Sequence, residues 1–64
     1  MKFKEYDTVK VLKNCDGGVI KGEYGVIIMA FEVPNEAYEV EFLNSNGYPK
    51  AQCTLLPNEI ELVK

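Results

Sequence analysis

Sixty-four residues with 47% hydrophobic and 27% charged content describe one small globular domain rather than a disordered chain. A chain of this length buries only about 60% of the surface its unfolded form exposes, which leaves little room for a deep catalytic pocket. The formal net charge of −3 opposes a general nucleic-acid binder, which needs a basic stripe.

Taken in order, the elements read as all-β. Tyr6 to Val11 alternates, with Val9 and Val11 on one face. A long turn-rich loop, KNCDGGVIKGEY, follows and contains Gly22 and Gly25. Strand two is expected over Gly25 to Phe31, with Ile27, Met29 and Phe31 facing the core. Gly22 and Gly25 fit positive-φ or close-packing corners that feed this strand. A phosphate-binding role for them fails because no helix follows.

The segment EVPNE places Pro34 and Asn35 in the second and third positions of a turn. Strand three, AYEVEFL, sets Tyr38, Val40 and Phe42 on one side and Glu39 and Glu41 on the other. Asn46-Gly47 is a strong two-residue hairpin signal. Counting outward from it pairs Phe42 with Ala51, Val40 with Cys53 and Tyr38 with Leu55, and sets Glu41 by Gln52 and Glu39 by Thr54. Both faces stay consistent, and a one-residue slip would mix them. The same count across VPNE pairs Phe31 with Tyr38, Met29 with Val40 and Ile27 with Phe42, leaving Ile28 and Ala30 outside beside the glutamates.

Strand four runs from about Lys50 to Leu55, LLPNEI forms a short helical turn around Pro57, and Ile60 to Val63 closes the chain. Five short strands in successive hairpins, with a helical turn before the last, predict an SH3-like barrel over residues 1–64. A three-stranded open sheet with extra arms is the other arrangement compatible with the pattern.

Enzyme chemistry is not expected. The chain has no histidine for general base catalysis and no nucleophile–base triad. Glu39 and Glu41 lie on an outward strand face, where both carboxylates are expected to be solvated and ionised. Cys15 and Cys53 fall short of a zinc ligand set, and are read as plain thiols. No metal or other cofactor is expected. The longest apolar run, Val26 to Phe31, is too short to span a bilayer, and MKFKEYD has no apolar signal region, so a cytoplasmic location is the default.

Charge is unevenly distributed. Residues 1–22 carry five lysines against Glu5, Asp7 and Asp16, whereas residues 23–49 carry Glu23, Glu32, Glu36, Glu39 and Glu41 with no lysine or arginine. Such an acidic block repels nucleic acid and steers basic partners. Ile28, Glu36, Glu39 and Glu41 are therefore the candidate partner-binding residues. The competing reading of the block is a merely solvating surface. An RNA- or ribosome-associated role like that of KOW modules is the alternative function, carried by Lys10, Lys13 and Lys21 around the first loop. Association through an exposed strand edge, giving a weak homodimer, is a further expectation.

The spacing of YDTVKVL, IKGEYGVII, AYEVEFLNSNG and TLLPNEIELV resembles a family of short bacterial proteins known as domain of unknown function 4926. It rests on Asp7, Val9, Gly22, Gly25, Val26, Tyr38, Glu39, Val40, Glu41, Phe42, Gly47 and Leu55. The resemblance implies a small barrel without an established catalytic site. It also implies an accessory protein encoded near toxin-type domains, and hence an immunity or antitoxin role. A small acidic protein suits inhibition of a basic, nuclease-like toxin.

Overall fold

The computed structural model describes residues 1–63. Alternating Val9 and Val11 drive β1 (Thr8–Val11), and the apolar run makes β2 (Tyr24–Phe31). β3 (Ala37–Leu43), β4 (Pro49–Leu55), a 3-10 turn (Pro57–Glu59) and β5 (Ile60–Leu62) follow. All pairings are antiparallel in one five-stranded sheet of order β4-β3-β2-β1-β5. That order, with a 3-10 turn before the last strand, is the SH3-like barrel expected from the pattern. β1 is shorter than the alternation suggests, because Tyr6 takes a left-handed φ of 74° in a turn closed by Asp7 N–H donating to the Lys4 carbonyl at 3.1 Å.

The core is one cluster: Phe3, Val9, Val11, Val19, Ile27, Tyr38, Val40, Phe42, Leu55 and Ile60. Two of its members come from irregular chain. Val19 anchors the long loop, where Cys15 N–H donates to the Val19 carbonyl at 2.8 Å. Phe3 belongs to an N-terminal arm and meets Tyr38 edge to face, with ring centroids 5.4 Å apart.

The β3–β4 register matches the expected one at Tyr38↔Leu55, Glu39↔Thr54, Val40↔Cys53, Glu41↔Gln52 and Phe42↔Ala51. The connection itself differs. Gly47 N–H donates to the Asn44 carbonyl at 3.0 Å and Asn44 N–H to the Tyr48 carbonyl at 2.9 Å, and Gly47 alone in this loop has positive φ. The loop is thus three residues, Ser45 to Gly47, rather than a two-residue Asn-Gly turn. The extra residue is absorbed by an irregularity between Phe42 and Leu43. The Asn44 side-chain oxygen fixes the loop by accepting from Asn46 N at 3.2 Å and Tyr48 N at 3.1 Å.

The β2–β3 register requires correction. Phe31 pairs with Ala37, Ala30 with Tyr38 and Met29 with Glu39, and after a bulge Ile27 pairs with Val40 and Val26 with Glu41. One extra residue in a strand reverses which side chains face inward on either side of it. Ile27 therefore stays in the core, but Met29 and Phe31 turn outward and are 49% and 37% exposed. Ala30 turns inward against the core. Ile28 sits within the bulge and is half-buried.

Both glycine expectations are met, by different means. Gly22 has φ +100°, which L side chains rarely adopt, and nothing crowds it. Gly25 lies flat against β3: a Cβ there would stand 2.7 Å from Val40 Cγ1, 2.8 Å from Phe42 Cε1 and 2.9 Å from the Glu41 carbonyl oxygen.

Candidate functional site

The outer face of β2–β4 is built by cross-strand rows. One row is Met29–Glu39–Thr54, and the next is Val26–Glu41–Gln52, continued onto β1 by Thr8. The apolar centre expected beside the glutamates is therefore present: Val26 and Met29 form it with half-buried Ile28 in the bulge between them, while Ala30 packs against the core instead. Glu39 and Glu41 do share this face. Thr54 Oγ1 donates to Glu39 Oε1 at 2.7 Å, which holds that carboxylate upright beside Met29.

At one end of this face the sheet opens into a shallow apolar groove. Phe31, Val33, Ala37 and Leu56 line it with Glu39 and Thr54. Val33 is 81% exposed and Leu56 46%. These residues were not legible as a site, because the period-two pattern of an unbulged strand sends Phe31 into the core. At the other end Lys10 forms an ion pair with Glu61 at 3.6 Å.

Glu36 does not belong to this face. Its carboxylate accepts from the Tyr38 hydroxyl and from Lys2 N–H, the latter at 3.0 Å. The Tyr38 oxygen in turn accepts from Phe3 N–H at 3.1 Å. Glu36 thus fastens the N-terminal arm. The Tyr38 hydroxyl, followed by the Lys2 N–H, holds its carboxyl below the ordinary value of 4.5. Burial first, and then Glu36, raises the Tyr38 phenol.

Glu23 and Glu59 play comparable roles elsewhere. Glu23 accepts from Ile20 N–H at 2.9 Å and pairs with Lys50 at 3.0 Å, and its carboxyl is lowered by these in that order. Glu59 accepts from Leu56 N–H at 2.9 Å and pairs with Lys13 at 3.2 Å, with the same consequence. A carboxylate whose folded-state pKa is depressed contributes stability above its unfolded value and loses it as pH falls through the folded value. Thermal stability is accordingly expected to decline as pH drops below about 4.5. Glu36→Gln removes one of the three groups, so its melting temperature should fall less steeply over the same pH interval. An unchanged slope would show that the arm's carboxylate is free in solution.

Cys15 and Cys53 are both free and half-buried. The fold brings them together: both line one cleft, between the long loop and β4, with Lys13, Asp16 and Thr54. Cys53 Sγ lies 3.8 Å from the Asp16 carbonyl oxygen. Burial pushes the Cys53 thiol up to about 11, helped by the adjoining Cys15 side chain and by the negative charges of Asp16 and Glu39. Among the described residues no group of three or more His, Cys, Asp or Glu side chains is placed to hold a metal ion. No helix among them is long and apolar enough to cross a membrane.

Residues 5–62 match the family described as Domain of unknown function (DUF4926). No curated protein and no solved structure matches the chain.

Proposed function

The chain belongs to the DUF4926 family, and from that premise we propose that it is a non-enzymatic protein-binding module whose partner is basic. The observation that carries this reading is the outer face of β2–β4, where exposed Met29 and Phe31 adjoin Glu39 and Glu41. An apolar centre with a polar rim is the usual composition of a protein interface. Acidic rim groups accelerate encounter with a basic surface and fix its register. Met29 and Phe31 supply area that a partner would remove from water, and the Val33–Leu56 groove extends it.

The partner class that best suits a small acidic inhibitor is a basic toxin domain of nuclease type, which makes the protein an immunity or antitoxin component. The acting form is a monomer, or a weak homodimer through a strand edge. Of the original candidates, Glu39 and Glu41 remain contact residues. Half-buried Ile28 lies in the bulge beside Met29, and Glu36 fastens the N-terminal arm.

The RNA-binding alternative draws less support. Lys10 and Lys13, two of its three lysines, are engaged by Glu61 and Glu59. Phosphate binding would have to break those pairs.

The test is a pull-down with the product of the neighbouring gene, followed by titration of wild type and of Glu39→Lys/Glu41→Lys. Charge reversal of two rim groups should slow association and weaken binding by roughly tenfold or more at low salt, with the difference shrinking as salt rises. Equal affinity of the two proteins at low salt would remove these glutamates from the interface. Salt-sensitive retention of RNA at about 50 mM salt, where phosphate contacts are near their strongest, would favour the alternative.

A further inference from the structure

The long first loop is pressed onto the edge strand rather than projecting from the barrel. Val19 anchors its far end in the core, and the Cys15–Val19 hydrogen bond closes its stem. Gly17, at φ +85°, lies so near β4 that a Cβ would come within 2.8 Å of Ala51 Cβ. This packing brings Cys15 into one cleft with Cys53, which pairs with Val40 in the register and borders the core. Two unpaired thiols of a small domain thus share one cleft, although they are distant in sequence. We propose that Cys15 and Cys53 are a reversible dithiol–disulfide site, oxidised by low-molecular-weight disulfides and independent of the protein-binding reading above.

The chemistry balances as two exchange steps. The Cys15 thiolate attacks one sulfur of an external disulfide RSSR, forming a Cys15–SR bond and expelling RS⁻. The Cys53 thiolate then attacks the Cys15 sulfur, forming the Cys15–Cys53 bond and expelling the second RS⁻. The two protons given up by the cysteines end on the two RSH molecules. The protein dithiol is oxidised and RSSR is reduced. Cys15, carried by the loop, is the entering sulfur, and Cys53, seated on β4 opposite Val40, is the resolving one. Lys13, Asp16 and Glu39 are the charged neighbours of the resolving step.

The experiment treats the full native chain with oxidised glutathione and reads intact mass without reductant. The expected product is a monomer lighter by two hydrogens, carrying no glutathione, with one cross-linked peptide containing Cys15 and Cys53. Dithiothreitol should restore the starting mass. Cys53→Ser should stop at a glutathione adduct on Cys15. The closed form should melt higher by on the order of 10 °C, because the bond constrains a long loop of the unfolded chain. Persistent adducts on both cysteines of the wild type, a disulfide-linked dimer, or unreacted thiols would overturn the proposal. So would a lower melting temperature on closure, since the sulfurs would then have to be dragged from their native places.

Discussion

Replacing Gly25 by alanine should destabilise the protein by about 3 kcal/mol, at the upper end of the cost of overpacking a core. The added Cβ would meet Val40 Cγ1 at 2.7 Å, Phe42 Cε1 at 2.8 Å and the Glu41 carbonyl oxygen at 2.9 Å. The first two atoms belong to fully buried side chains, and the third is backbone of β3, an interior strand between β4 and β2. None of them can withdraw without loosening the ladder to β2 or β4. A domain of this size has roughly 3–10 kcal/mol of total stability, so Gly25→Val should leave little folded population. Gly47→Ala is the reference variant. Its φ of +87° is also unfavourable to a side chain, yet nothing lies within 4 Å, so only the left-handed backbone cost of about 1–2 kcal/mol applies. Urea unfolding of the three proteins separates the two mechanisms. Equal midpoints for Gly25→Ala and Gly47→Ala would mean that β2 can lift from β3 cheaply, and that the close approach is not held in solution.

The sequence exposed the outer hairpin better than the inner one, for a physical reason. In β3–β4 the alternation of AYEVEFL and AQCTL is strict, so only one register keeps both faces pure, and it is the observed one. That register survived a wrong turn because the three-residue loop is offset by an irregularity one residue later. In β2 the run VIIMAF is apolar on both faces and gives alternation nothing to act on. The bulge between Ile27 and Met29 is invisible in such a run, and the outward placement of Met29 and Phe31 is lost with it. The two glutamates of the candidate site were legible because they sit on the strictly alternating strand, whereas its apolar half was not. Cys53 could be placed on the inner face from its pairing with Val40, but Cys15 lies in irregular chain whose path no periodicity specifies.

The N-terminal arm shows the same limit, and removing its anchor should have a large effect. Phe3 stands alone between Lys2 and Lys4, outside any alternating segment and outside the matched residues 5–62. In the structure it is only 5% exposed, stacks edge to face on Tyr38, and donates its N–H to the Tyr38 hydroxyl. Truncation to alanine gives up a buried aromatic side chain and leaves a void over Tyr38, a change that typically costs about 3–5 kcal/mol. Tyr38→Phe preserves the shape and removes only the oxygen, which leaves the Phe3 N–H without its partner at a cost of about 1–3 kcal/mol. The two losses pass through the same contact, so the double variant should fall short of the sum. Urea midpoints for the set, with amide exchange at Phe3 as a local readout, test the arrangement. A Phe3→Ala variant within about 0.5 kcal/mol of wild type, the range of a neutral surface change, would show that the arm is detached in solution. The Glu36–Tyr38–Phe3 chain would then be no part of what holds the barrel.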